Sequence, residues 1–121
     1  MRLAAALLLA AGAASAEEGL RCAPDHPVLC ENIHVSCAGR SRVPAPGFTV
    51  LFSGQRAAVA FAGGEVWDAG VSRSHSGVVL RPEAGRDWVR LAPDGRFSLR
   101  RYRDGRALMA AGACREAGWL R

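Results

Sequence analysis

Three groups of residues in this 121-residue chain have types and spacings that could do chemistry. The first is Ser72-Arg73-Ser74-His75-Ser76, an imidazole beside several hydroxyls. A serine nucleophile on a strand-to-helix elbow needs Gly-x-Ser-x-Gly, whereas Gly70-Val71-Ser72-Arg73-Ser74 lacks the last glycine and no helical pattern follows it. Hydroxyls in such a run satisfy backbone donors of a turn, and an exposed turn can serve as a binding loop. Ser74, His75, Ser76 and the adjoining Gly77 are therefore candidate binding residues, not catalytic ones.

The second group is Cys22, His26, Cys30, His34 and Cys37, whose ligand types suit zinc or copper. In an oxidising compartment the thiols pair with each other, which leaves two imidazoles and an incomplete site. No metal and no cofactor are expected, and an enzyme or metal-handling protein using His26, His34 or His75 is the third reading of the chain. The third group is the basic hairpin Arg96, Arg100, Arg101, Arg103 and Arg106, interleaved with Phe97 and Tyr102. Guanidinium forks bind carboxylates and phosphates bidentately. Strand alternation sets Arg101 on the face of Phe97 and Leu99, and Arg100 with Ser98 and Tyr102. Arg101, Arg103 and the turn residue Asp104 complete the candidate binding residues. The carboxylates are scattered and show no pair placed for glycoside chemistry. The chain is read as a non-enzyme.

The elements that must position these residues begin after an apparent export signal. Arg2, the apolar run Leu3 to Ala11 and Ala14-Ser15-Ala16 have the pattern of a cleavable secretory peptide, 1–16, too short to span a bilayer. The expected location is the periplasm or the exterior, with no membrane span after cleavage and no nucleic acid as partner. Removing sixteen residues from 121 leaves 105, one small domain. Its four cysteines predict two disulfides, and of the three pairings the favoured one joins Cys22 to Cys30 and Cys37 to Cys114. No Cys-x-x-Cys occurs, which removes the usual handle for redox catalysis.

All sixteen basic residues are arginine, so lysine-dependent Schiff-base and phosphate-loop chemistry is excluded. Glu17 to Ser72 carries four Arg against six acids, −2, while Arg73 to Arg121 carries eleven against five, +6. That asymmetry points to an anionic partner for the C-terminal half, either an envelope protein or an anionic envelope component.

Residues 17–46 hold four of the six prolines and three of the four cysteines and read as an irregular, disulfide-stapled segment, with Ile33 to Ser36 as one short strand. From 47 to 121 the pattern becomes short β-like runs at Phe48–Phe52, Ala57–Phe61, Glu65–Val71, Gly77–Leu80, Trp88–Leu91, Arg96–Tyr102 and Arg106–Ala111. Asp94-Gly95 and Asp104-Gly105 mark tight turns ten residues apart. The fold class is all-β, a small antiparallel meander or barrel closed by a disulfide. Its core is Phe48, Val50, Phe52, Val59, Phe61, Val89, Leu91, Phe97, Leu99 and Leu108, with Trp67, Trp88 and Tyr102 at the rim.

From Cys37 to Cys114 the meander, the cysteines and the terminal Gly112-Ala113-Cys114 resemble the small exported inhibitors of c-type lysozyme, the membrane-bound lysozyme inhibitor family. The resemblance implies a single β-barrel closed by a disulfide between its first and last strands. It also implies a loop of the type Ser-Gly-x-x-Tyr and a Lys-Gly turn that enter the enzyme's cleft. Ser76-Gly77 matches the start of that loop, Leu80 stands at its Tyr position, and Arg103-Asp104-Gly105 replaces the Lys-Gly turn. The expected function is a non-catalytic binding protein that uses the loop Ser72 to Ser76 and the turn Asp104-Gly105. The alternative is an inhibitor of a cell-wall hydrolase that uses Ser76 and Arg103.

Overall fold

A computed structural model describes residues 18–26, 29–30, 44–83, 85–103 and 105–116. Short runs, most of them with large apolar residues at alternate positions and broken by glycine turns, form the strands β1 (Glu18–Pro24), β2 (Phe48–Ser53), β3 (Arg56–Phe61), β4 (Val66–Ser74), β5 (Gly77–Pro82), β6 (Trp88–Leu91), β7 (Arg96–Arg103) and β8 (Arg106–Glu116). Each pairs antiparallel with its chain neighbours, and β8 pairs with β1 to close an eight-stranded barrel. Closure leaves the sheet no free edge. Among the described residues no helix is long and apolar enough to cross a membrane.

One alternate face of each strand fills the barrel. Val50, Val59, Leu80, Val89, Leu99 and Leu108 are almost fully buried, with Ala57, Ala69 and Ala110 between the larger side chains. Interleaving small and large residues lets opposing strands interdigitate in so narrow a barrel. Phe48 packs tilted on Phe61 at 5.4 Å and edge-on to Phe97 at 5.0 Å, while Trp67 meets Phe61 at 4.8 Å between centroids. Every residue expected in the core is there. Trp67, expected at the rim, is buried instead, because it shares the inner face of β4 with Ala69.

The N-terminal segment departs from expectation. Glu18–Pro24 is regular and forms the first strand of the barrel, so the β domain is not confined to 47–121. Its single large apolar residue, Leu20, gives no visible alternation, and its register comes from β2 and β8 on either side. The same strand corrects the disulfide pairing. Cys22 stands opposite Cys114 in the β1–β8 ladder and is bonded to it, with Cα atoms 4.0 Å apart, so the expected Cys22–Cys30 and Cys37–Cys114 bridges do not form. Cys30 is disulfide-bonded as well, and its backbone exchanges two hydrogen bonds with Met109 beyond the end of β1. Cys37, His34 and the expected strand Ile33 to Ser36 lie outside the described residues. The barrel is thus closed by a covalent bond between first and last strands, as the fold class required.

At the closure β8 must turn from β7 to β1, and Gly112 sits at that crossing. A Cβ there would fall 2.1 Å from the Ala23 carbonyl oxygen and 2.7 Å from the Phe97 ring, so only glycine lets the two strands approach.

Candidate functional site

Because all neighbours are antiparallel, successive connections alternate between the two ends of the barrel. One end carries the β2–β3 turn, the β4–β5 turn at His75-Ser76 and the β6–β7 turn at Pro93 to Gly95. The other carries the connections from β3 to β4, from β5 to β6 and from β7 to β8. The expected binding residues therefore separate. Ser74, His75, Ser76 and Gly77 lie at the first end, and Arg101 and Arg103 lie toward the second; Asp104 is outside the described residues.

At the first end, β4 extends through Ser72, Arg73 and Ser74, so the expected loop Ser72 to Ser76 shrinks to a two-residue turn. Ser74 Oγ and Ser76 Oγ are 2.9 Å apart, and the Ser76 amide donates to Ser74 Oγ at 3.3 Å. The hydroxyls thus serve the turn, and His75 is exposed with no hydrogen bond to either. Gly77 is held by geometry: its φ is +131°, and a Cβ would lie 2.2 Å from the Leu91 carbonyl oxygen. Beside the turn, Phe52, Arg73, Val78 and Pro93 line a shallow groove of about 470 Å³, with the Arg73 guanidinium 5.4 Å above the Phe52 ring. The Asp-Gly turn at the same end of the barrel as Ser76 is Asp94-Gly95, where the Arg96 amide donates to Asp94 Oδ1 at 3.0 Å.

At the second end, Arg101 points inward from β7 and is buried, as its phase with Phe97 and Leu99 requires. Its Nη2 donates to Glu65 Oε1 at 2.5 Å, its Nε lies 3.8 Å from Asp87 Oδ2, and its guanidinium sits 4.8 Å above Phe61 and 5.6 Å above Trp67. Asp87 in turn accepts the Tyr102 amide at 2.7 Å and Arg103 Nη1 at 3.4 Å. Burial alone would raise the Glu65 carboxyl. The hydrogen bond from the Trp67 indole and the charges of Arg101 and Arg103 outweigh that and hold it below its ordinary value. Arg101 therefore ties β7 to the β3–β4 turn and to the β5–β6 connection. Both its charge and the face of its guanidinium are engaged internally, which removes it from the exposed surface.

The outer face of β5, β6 and β7 has a different character. Arg81 alternates with buried Leu80, Arg90 with Val89 and Leu91, and Arg100 with Leu99, so all three project outward, and Arg86 joins them from the β5–β6 connection. Arg90 stands opposite Val79 and Ser98, and Arg100 opposite Trp88 and Met109. Among the described residues, none of these four arginines has a carboxylate at ion-pair distance, unlike Arg56, Arg96, Arg101 and Arg103. Three of them rest on aromatic rings instead: Arg90 lies 4.9 Å over Trp88, and Arg86 and Arg100 lie 4.7 and 6.0 Å from the Tyr102 ring. Arg100 Nε is in addition buried with no hydrogen-bond partner. On the outer face of β2 to β4, by contrast, Thr49, Leu51, Ala58 and Ala60 are neutral, and Arg56 is paired with Asp68 at 3.0 Å.

Sequence reasoning found the net charge of this half and the outward phase of Arg100, but singled out neither Arg81, Arg86 and Arg90 nor Trp88 and Tyr102 as a set. The signal was present in the alternations Val79/Arg81, Trp88/Arg90 and Ser98/Arg100/Tyr102; what was missing was the register that gathers three short strands onto one patch. His26 is exposed, and among the described residues no three His, Cys, Asp or Glu side chains are gathered as a metal site. Compared with known proteins, the chain matches no family model, no curated protein and no solved structure.

Proposed function

We propose that this chain is an exported, non-catalytic binding protein that recognises an anionic partner, an envelope protein or an anionic envelope component, through the arginine-bearing outer face of β5 to β7. The observation that carries this reading is the set Arg81, Arg86, Arg90 and Arg100, four cations on one face with no carboxylate at ion-pair distance among the described residues. Cations left unneutralised keep a positive field outside the protein and steer anions to it. Stacking on Trp88 and Tyr102 holds the guanidiniums in place, which lowers the entropy lost when they engage an oxyanion. Export is supported by the signal-like residues 1–16 and by the disulfide, which persists in oxidising compartments.

The test is retention of the oxidised protein on immobilised polyglutamate and on an immobilised acidic polysaccharide, eluted with salt. Replacing Arg81, Arg90 and Arg100 with Gln should move elution to much lower salt. Replacing Arg21, Arg73 and Arg115 with Gln makes the same change in net charge and should move it far less. Equal shifts for the two variants would reduce the effect to net charge and sink the reading.

Inhibition of a c-type lysozyme is the rival reading, and what supports it is the bond between first and last strands. Ser76 and Arg103 lie toward opposite ends of the barrel, however, so a single loop-in-cleft contact does not reach both. A muramidase assay with added protein tests it directly, and a stoichiometric fall in activity that survives loss of the outer arginines would favour the rival.

A further inference from the structure

The arrangement of the outer arginines narrows the class of anion, given that the face is an anion-binding one. Same-face residues along a strand are about 7 Å apart and neighbouring strands about 4.8 Å apart, so Arg81, Arg90 and Arg100 mark a triangle with sides of roughly 8 to 10 Å. The registers that fix it are Val79 with Arg90 and Trp88 with Arg100. A linear polyanion is best met by a single row or a groove of cations. A triangle on the convex outside of a barrel instead fits anions spread over a plane.

The aromatic residues point the same way. The rings of Trp88 and Tyr102 are covered by guanidiniums, so they are not open to stack on sugars or bases. The guanidinium N–H edges remain available to phosphate oxygens, which they match bidentately. Half-buried Trp and Tyr beside arginine is also the residue mixture found at the water boundary of a bilayer. The apolar side chains of the patch, Val79, Trp88 and Met109, are half-buried and do not stand clear for insertion; the exposed large one among the described residues is Val66, on β4.

We infer that the outer face of β5 to β7 docks flat on an anionic phospholipid surface, with Arg81, Arg86, Arg90 and Arg100 engaging headgroup phosphates. This rests on the anion-binding reading above. Attachment is electrostatic and peripheral, so it weakens as salt shortens the reach of the charges.

The experiment is co-sedimentation of the oxidised protein with vesicles of phosphatidylcholine alone and of phosphatidylcholine containing phosphatidylglycerol. Sedimentation is expected with the anionic vesicles only, and it should be released by high salt. At about fivefold per arginine, R81Q/R90Q/R100Q should weaken binding by more than about 100-fold, while R81K/R90K/R100K keeps most of it because a planar array of anions needs charge more than fork geometry. Equal sedimentation with both vesicle types, or none with the anionic ones, would overturn the inference; the comparison uses the unaltered protein and is independent of any variant's folding. Arginine-dependent retention on the acidic polymers without vesicle binding would sink the lipid assignment alone and leave the anion-binding face standing. Loss of both would sink both.

Discussion

Gly77 shows how a residue picked as a contact can have another occupation. Its φ of +131° lies where side-chain-bearing residues are strained, and the space a Cβ would take is already held by the Leu91 carbonyl oxygen at 2.2 Å. The residue lets the β4–β5 hairpin turn back tightly against β6. Gly77→Ala must both leave a favoured backbone conformation and push on a backbone atom, so it should destabilise the barrel by about 2 to 4 kcal/mol. The check is the urea midpoint of the oxidised protein. A midpoint within error of the unaltered protein would mean that the hairpin relaxes freely and that a contact role for Gly77 is open again. Ser74 and Ser76 follow the same logic: their hydroxyls face each other, and an outward recognition role has to compete with that bond.

At the scale of elements, Arg101 links three of them. A buried guanidinium costs several kcal/mol of desolvation unless it is paired, and here Glu65 from the β3–β4 turn and Asp87 from the β5–β6 connection both converge on it. The Glu65 carboxyl is held below its ordinary value, so its charged form favours the folded state. Its contribution is complete above the ordinary carboxylate range and is lost as pH falls through that range and on through the lower folded value. Below about pH 5 the unfolding midpoint should therefore fall more steeply in the unaltered protein than in Glu65→Gln. At neutral pH the variant should lose about 1 kcal/mol, a small figure because the carboxylate is half exposed. Parallel acid profiles for the two proteins would show that Glu65 contributes nothing through its charge.

The seven strands from Phe48 onward were readable because most place large apolar residues at alternate positions between glycine or Asp-Gly turns. The first strand was not, since Leu20 is its one large apolar side chain and the rest of it is placed by β2 and β8. The inward direction of Arg101 was readable from its phase with Leu99. Its partners Glu65 and Asp87 were not, because they come 36 and 14 residues earlier and meet it only once the barrel closes. The outer arginine patch fails to show in the sequence for the same reason. Each strand presents one or two of its members, and only cross-strand register makes them a surface.

For the whole molecule the decisive link is between β1 and β8. β1 adds only Leu20 and Cys22 to the interior, so its apolar burial is slight and its place depends on two backbone ladders and one covalent bond. The bond joins positions 92 residues apart, and on the chain-entropy account a loop of that length stabilises by about 4 to 5 kcal/mol. Cys22→Ala with Cys114→Ala should thus lower unfolding stability by up to that amount. The loss should also be uneven. Amides of β1 and of the last turn-ward residues of β8 should exchange with solvent well before those of β5 to β7, whose interior is filled by Leu80, Val89 and Leu99. Hydrogen exchange on the double variant checks both parts at once. If protection falls uniformly around the barrel, closure is cooperative and the bond supports every strand. If it falls at β1 and β8 alone, the bond is a local clasp, and the arginine face on β5 to β7 should keep its salt-sensitive binding with the barrel open.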